Sequence, residues 1–116
     1  MKSLLRVGLA GVGHVGKMHL LNLCKYKDVK VIGVADKSKK NLRLAKKLGV
    51  RDTYGDYTEL FERGDLDAAV IALPNFLKLD SVSVALENGV SVLVEKPLTR
   101  SFEEAKSLVQ AVQALL

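Results

Sequence analysis

One cysteine, two prolines, two histidines and no tryptophan among 116 residues leave several chemistries without material. Cys24 has no second cysteine to pair with, so an internal disulfide is excluded, and a reducing, cytoplasmic setting is the expectation. Three Tyr and three Phe are few for a surface that stacks on exposed bases, and no nucleic-acid partner is expected. No apolar run approaches the roughly 20 residues of a membrane helix, so no membrane partner is expected either. The short apolar stretch after Lys2 is broken by Gly8, Gly11 and Gly13, which argues against a signal peptide. His14, His19 and Cys24 recur at five-residue steps. Such a step turns about 140° around a helix, so the three share no face and no metal site is expected. Cys24 reads as a small core residue and His19 as a packed or partly exposed helix residue.

What is present describes one globular domain. Hydrophobic residues make up 48% and charged residues 27%, and the net charge is +5. The basic residues are spread along the chain, with one tight group at Lys37, Lys39 and Lys40. A mildly basic surface suits a pyrophosphate ligand. Four segments are short and almost continuously apolar: LLRVGLA (4–10), VKVIGVA (29–35), LDAAVIAL (66–73) and VSVLVE (90–95). Strands buried on both faces of a parallel sheet have this pattern. DTY (52–54) is a weaker fifth candidate.

Helical patterns lie between them. Ser38 can cap a helix whose Leu42, Ala45 and Leu48 share a face, with Gly49 as its stop. Asp56 and Glu59 have capping-box spacing, as do Ser101 and Glu104. Leu79, Val82 and Leu86 form one stripe ended by Gly89. Ala105, Leu108, Val109, Val112 and Leu116 form another. Alternating strands and helices predict an α/β fold, a doubly wound, mostly parallel sheet in three αβα layers.

G-V-G-H-V-G (11–16) follows the first strand and opens the first helix. Gly11 permits a tight turn, Gly13 leaves room for a pyrophosphate, and Gly16 lets the helix lie close on the sheet. The helix terminus adds unpaired N–H groups and partial positive charge. Asp36 stands 20 residues after Gly16, at the end of the second strand. A carboxylate there accepts both ribose hydroxyls of an adenosine and repels a 2′-phosphate, which favours NAD over NADP. The neighbouring lysines make NADP possible. Asp36 can instead be a helix-capping carboxylate. Two more strand ends, ALPN (72–75) and VEKP (94–97), are stopped by Pro74 and Pro97. Asn75 there can cap the following helix or reach a ribose. Glu95 and Lys96 can project into a cleft or form an exposed ion pair.

GLAGVGHVGKMH, VIGVAD, LPNFLKLDSVSVALENGVSVLVEKPL and SFEEAKSLV together resemble the glucose–fructose oxidoreductase and inositol 2-dehydrogenase family, in its N-terminal, dinucleotide-binding part. The resemblance implies a Rossmann domain in an oxidoreductase that moves hydride between a nicotinamide and a sugar, cyclitol or related polyol. It places Gly11, Gly13, His14, Val15 and Gly16 at the pyrophosphate and Asp36 at the adenosine ribose. Leu73, Pro74 and Asn75 would line the cofactor channel, and Glu95 and Lys96 would lie near the nicotinamide ribose, with Lys96 as the catalytic residue. The chain departs from the family pattern at Leu73, where Thr is common, and at Lys78, where His is common. The family's sixth strand and its C-terminal domain, which carries a D-x-x-x-H motif, have no counterpart here. Residues 1–116 are therefore expected to be one dinucleotide-binding domain of a longer enzyme. The isolated piece should bind cofactor, be catalytically impaired and form a homo-oligomer through an open sheet edge. The alternatives are a stand-alone dinucleotide-binding or redox-sensing module, and an enzyme of another class that holds a different adenosine ligand on the same loop.

Overall fold

The computed structural model describes residues 4–94 together with Glu103, Lys106, Ser107, Val109, Gln110 and Gln113, which are helical. Strands and helices alternate: β1 (Leu5–Ala10), α1 (His14–Leu23), β2 (Val29–Ala35), α2 (Lys39–Lys47), β3 (Asp52–Tyr54), α3 (Tyr57–Phe61), β4 (Ala68–Ile71), α4 (Asn75–Glu87) and β5 (Ser91–Val94). The strands form one parallel sheet in the order β3-β2-β1-β4-β5. Chain order reverses between β1 and β4, which opens a crevice at their carboxyl ends.

The continuous apolar runs have the burial that their composition demands. Leu9, Val34 and Val70 point to one face and pack with Leu20 of α1 and Ala45 of α2. Their neighbours Ala10, Ala35 and Ile71 point to the other face and pack with Leu60 and Phe61 of α3 and Val82 and Ala85 of α4. Each buried Leu or Phe stabilises the fold by roughly 1.5–3 kcal/mol. The expected α/β sheet with helices on both sides is thus observed, with parallel pairing throughout the described strands.

Local signals hold in most places. Ser38 accepts a hydrogen bond from the Asn41 amide at 3.3 Å and caps α2, which Gly49 follows at φ +102°. Asp56 caps α3, but through the Thr58 amide at 2.9 Å, one residue before the Glu59 position of a capping box. Asn75 is not a cap. Pro74 occupies the N-cap position of α4, and Asn75 is the first helical residue. Cys24 is exposed and not part of the core, because α1 ends at Leu23 and Cys24 lies beyond its buried face. The sheet portion of 66–73 narrows to Ala68–Ile71, since Ala72 and Leu73 run on past it toward the first turn. Of the distal stripe and cap, Ser101, Glu104, Ala105, Leu108, Val112 and Leu116 lie outside the described residues, and Val109 is exposed. β5 is an edge strand among the described residues and leaves Leu93 62% exposed.

One long-range device has no local signal. The β1–β2 register slips between Val7 and Gly8, so Ile32 is an extra residue in β2. Its carbonyl accepts from Nη1 of Arg63 at 3.1 Å, and the same nitrogen donates to the Tyr54 hydroxyl at 3.1 Å. The rest of the guanidinium grips Asp65 through Nε (2.5 Å) and Nη2 (3.0 Å), and Asp52 lies 3.2 Å from Nη1. Arg63→Met leaves the Ile32 carbonyl without this donor and should cost about 2–3 kcal/mol in urea unfolding. The hydrogen bond from Arg63 holds the Asp65 carboxyl below its ordinary range. A depressed carboxyl stabilises the fold above its unfolded value of about 4 and loses that contribution as pH falls through the lower folded value. The stability gap between wild type and Arg63→Met should therefore shrink below about pH 4.

Candidate functional site

The crevice at the carboxyl ends of β1 and β4 is shaped by three glycines that act in different ways. Gly11 has φ +95°, and a Cβ there would lie 2.4 Å from the Ala72 carbonyl oxygen. Its own amide donates to the Ala35 carbonyl at 2.8 Å, which carries the β1–β2 pairing into the turn. A Cβ on Gly16 would lie 1.9 Å from the Gly11 carbonyl oxygen, so only glycine lets α1 start this close to β1. Gly13 is the opposite case. It is the N-cap of α1, and a Cβ there would meet nothing within 4 Å. The space over Gly13 is open.

The helix ends around this space differ from the others. α2 and α3 are capped by side chains of Ser38 and Asp56. α1 and α4 have no side-chain cap and no acidic residue in their first turns. No side chain accepts from their leading N–H groups, and free amides at a positive dipole end suit an anionic ligand.

Asp36 closes one end of the crevice and is half-buried. Oδ2 accepts from the Val12 amide at 2.7 Å and from Asn41 Nδ2 at 3.2 Å, while Oδ1 accepts from the Ser38 amide at 2.8 Å. The carboxylate therefore joins the glycine turn, the end of β2 and the first turn of α2. It does not cap α2, because Ser38 does. A carboxylate offers about four lone-pair sites, so one acceptor direction is left beside the three in use.

These residues line one cavity of about 520 Å³. Gly11, Gly13, His14 and Val15 come from the first turn, Asp36 and Lys37 from the end of β2, and Leu73, Pro74, Phe76 and Leu77 from the β4–α4 junction. A second hollow adjoins it, where Asp36, Lys37, Leu73 and Leu77 meet Gly55, Asp56 and Tyr57. Tyr57 donates to Asp80 of α4; burial first, then the Asp80 carboxylate, raises its pKa, so the phenol stays a neutral donor. Of the residues expected here, Gly11, Gly13, His14, Val15, Asp36, Leu73 and Pro74 come together. Gly16 is buried behind the turn, and Asn75 is exposed without joining the cavity wall. Glu95 and Lys96 lie outside the described residues. Phe76 and Leu77 were not expected. Their signal was available, since two large apolar residues directly follow a proline turn at a strand's carboxyl end. No group of three or more His, Cys, Asp or Glu side chains gathers among the described residues.

A family model described as an oxidoreductase family with an NAD-binding Rossmann fold matches residues 5–115. The chain belongs to this family. Within the oxidoreductase family it is 33% identical over 115 residues to a scyllo-inositol 2-dehydrogenase (NAD(+)) of Bacillus subtilis (strain 168), covering 97% of this chain and 34% of that protein. It is 31% identical over 102 residues to a D-xylose 1-dehydrogenase (NADP(+)) of Haloferax volcanii, covering 87% of this chain and 31% of that one. The crystal structure of scyllo-inositol dehydrogenase from Lactobacillus casei with bound NAD(H) and scyllo-inositol superposes with a TM-score of 0.91 at 28% identity, over 97% of this chain and 34% of that one. The chain thus spans about a third of the length of these relatives. The family's cofactor fits the crevice: open space over Gly13, two uncapped helix starts and a carboxylate across the same cavity suit a dinucleotide's diphosphate and ribose.

Two substitutions test this geometry without a ligand. Gly16→Ala forces apart α1 and the Gly11 carbonyl and should cost at least about 1–3 kcal/mol by urea unfolding. Asp36→Ala strips the Val12 and Ser38 amides of a charged acceptor and should cost about 1.5–3 kcal/mol. Asp36→Asn keeps one acceptor oxygen and should lose less.

Proposed function

We propose that this chain is the dinucleotide-holding domain of an NAD-dependent dehydrogenase that acts on a sugar, cyclitol or related polyol. The observation that carries this reading is the open space over Gly13 at the uncapped start of α1, with the Asp36 carboxylate across the same cavity. Gly13, His14 and Val15 present main-chain amides to the diphosphate, and the α1 dipole adds to them. Asp36 takes a ribose hydroxyl on its remaining acceptor direction, or on Oδ2 after Asn41 withdraws its 3.2 Å hydrogen bond. Leu73, Pro74, Phe76 and Leu77 give the bases an apolar wall.

When bound, the nicotinamide supplies a two-electron carrier that takes a hydride from, or returns it to, a carbon bearing a hydroxyl. By the family resemblance, Glu95 and Lys96 stand near the nicotinamide ribose. Lys96 donates to the substrate oxygen, steadies alkoxide charge and orients the substrate. The substrate is held with the remaining two-thirds of a chain of the relatives' length. The β5 edge, unpaired among the described residues and flanked by Leu93, is the surface through which copies of this domain associate.

Titration of NADH fluorescence, in parallel with NADPH and S-adenosylmethionine, tests the reading. NADH should bind best, and NADPH about tenfold more weakly, because Asp36 repels a 2′-phosphate. Gly13→Val should weaken NADH by at least about tenfold while leaving the melting temperature within a few degrees, since its side chain enters empty space. Tightest binding to S-adenosylmethionine, or NADH affinity unchanged in Gly13→Val, would overturn it.

A further inference from the structure

Charge is sorted along this chain in a way that its net value conceals. Residues 1–51 hold thirteen Lys and Arg against two carboxylates, Asp28 and Asp36; the remaining 65 residues hold five against eleven. Folding turns this into a one-sided surface. α1 and α2 cover the same face of the sheet and carry Lys17, Lys39, Lys40, Arg43, Lys46 and Lys47, with no Asp or Glu in either helix. Five of these six lie within the nine residues of α2, and the α1–α2 packing adds Lys17.

Four of them surround one groove of about 360 Å³. Lys40, Arg43, Leu44 and Lys47 form a single face of α2, Lys17 comes from α1, and Asn41 closes the end toward Asp36. All four cations are exposed, and none has an ion pair among the described residues. Arginines elsewhere behave differently: Arg6 pairs with Asp67, Arg51 with Asp52, and Arg63 with Asp52 and Asp65. The helix dipole favours Lys46 and Lys47 in the last turn of α2. It disfavours Lys39 and Lys40 in the first turn of α2 and Lys17 in the first turns of α1; neither helix carries a carboxylate of its own, and Asp36, held by the Ser38 amide and Asn41, is the one that stands at the start of α2. Repulsion among unpaired cations at positive helix ends is relieved by a multiply charged anion.

We propose that the α1–α2 groove binds a phosphate anion of at least two negative charges, at a site separate from the diphosphate cradle over Gly13. Lys17 and Lys40 face the phosphate at the upper end, Arg43 offers a planar fork to two of its oxygens, and Lys47 extends the field down the groove. The source that fits is a free oligophosphate, because the Asp36 carboxylate, which Asn41 ties to the end of the groove, repels a dinucleotide's 2′-phosphate at the ribose corner. The assignment of the groove does not depend on the dehydrogenase reading.

The test is calorimetric titration of the chain with inorganic tripolyphosphate at physiological ionic strength, with and without saturating NAD. Tripolyphosphate should bind in both conditions. The double variant R43Q/K47Q should weaken it at least about fivefold, with NAD affinity and melting temperature unchanged. Neither NAD nor NADP should displace tripolyphosphate. Complete displacement by either dinucleotide, wild-type tripolyphosphate affinity in R43Q/K47Q, or no binding at that ionic strength would overturn it. A chain that failed to bind NAD would leave the R43Q/K47Q comparison intact, so this proposal and the cofactor reading fail separately.

Discussion

The hydrogen bond from the Val12 amide to the Asp36 carboxylate, 2.7 Å long, is the constraint on which the crevice depends. It fastens the turn after β1 to the end of β2 at the point where both leave the sheet. It acts beside the 2.8 Å bond of the Gly11 amide to Ala35 and the burial of the Val12 side chain in the core. The same carboxylate orders the start of α2 through Ser38 and Asn41. One side chain thus shapes the cradle and defines its ribose end, and that makes Asp36 a poor position for altering cofactor choice in isolation. Any replacement that relieves repulsion of a 2′-phosphate also releases the Val12 amide unless it keeps an acceptor.

The sheet makes this arrangement possible. Parallel strands place every helix start at the carboxyl edge, and the reversal of order between β1 and β4 separates α1 from α4 there. The two helices that flank the reversal, α1 and α4, start without caps, while the two that do not, α2 and α3, are capped by their own side chains. Cap use therefore separates the two helices whose starts flank the reversal from the two that start beside it. The glycines obey the same logic. Gly11 and Gly16 are needed because backbone crowds them, whereas Gly13 faces open space, which is where we propose the diphosphate lies.

Much of this was legible in the residue order. The apolar runs of β1, β2, β4 and β5 stand out because strands buried on both faces cannot alternate, and Ser38 and Gly49 bracket α2 by local chemistry. The spacing of Gly11, Gly13, Gly16 and Asp36 located the crevice. What escaped was non-local or finer than one residue. The grip of Arg63 on Ile32 spans 31 positions and answers a register slip that no propensity encodes. The Val12–Asp36 bond spans 24 positions. Pro74, and not Asn75, is the N-cap of α4, a shift of one residue that local preference does not resolve, because both residues suit helix starts. Cys24 reads as core by type, but it falls one residue past the helix that would have buried it. The basic face was largely legible, since five of its cations lie within Lys39–Lys47; only Lys17 joins it through space.

The central claim is that main-chain amides of the first turn hold a diphosphate, with Asp36 at the ribose end. Amide chemical-shift mapping during NAD titration tests it most directly. The account predicts that the largest shifts fall on Gly13, His14 and Val15, with smaller ones at Val12, Asp36 and Ser38. Shifts concentrated on another face, with the Gly13, His14 and Val15 amides unmoved at saturation, would contradict it.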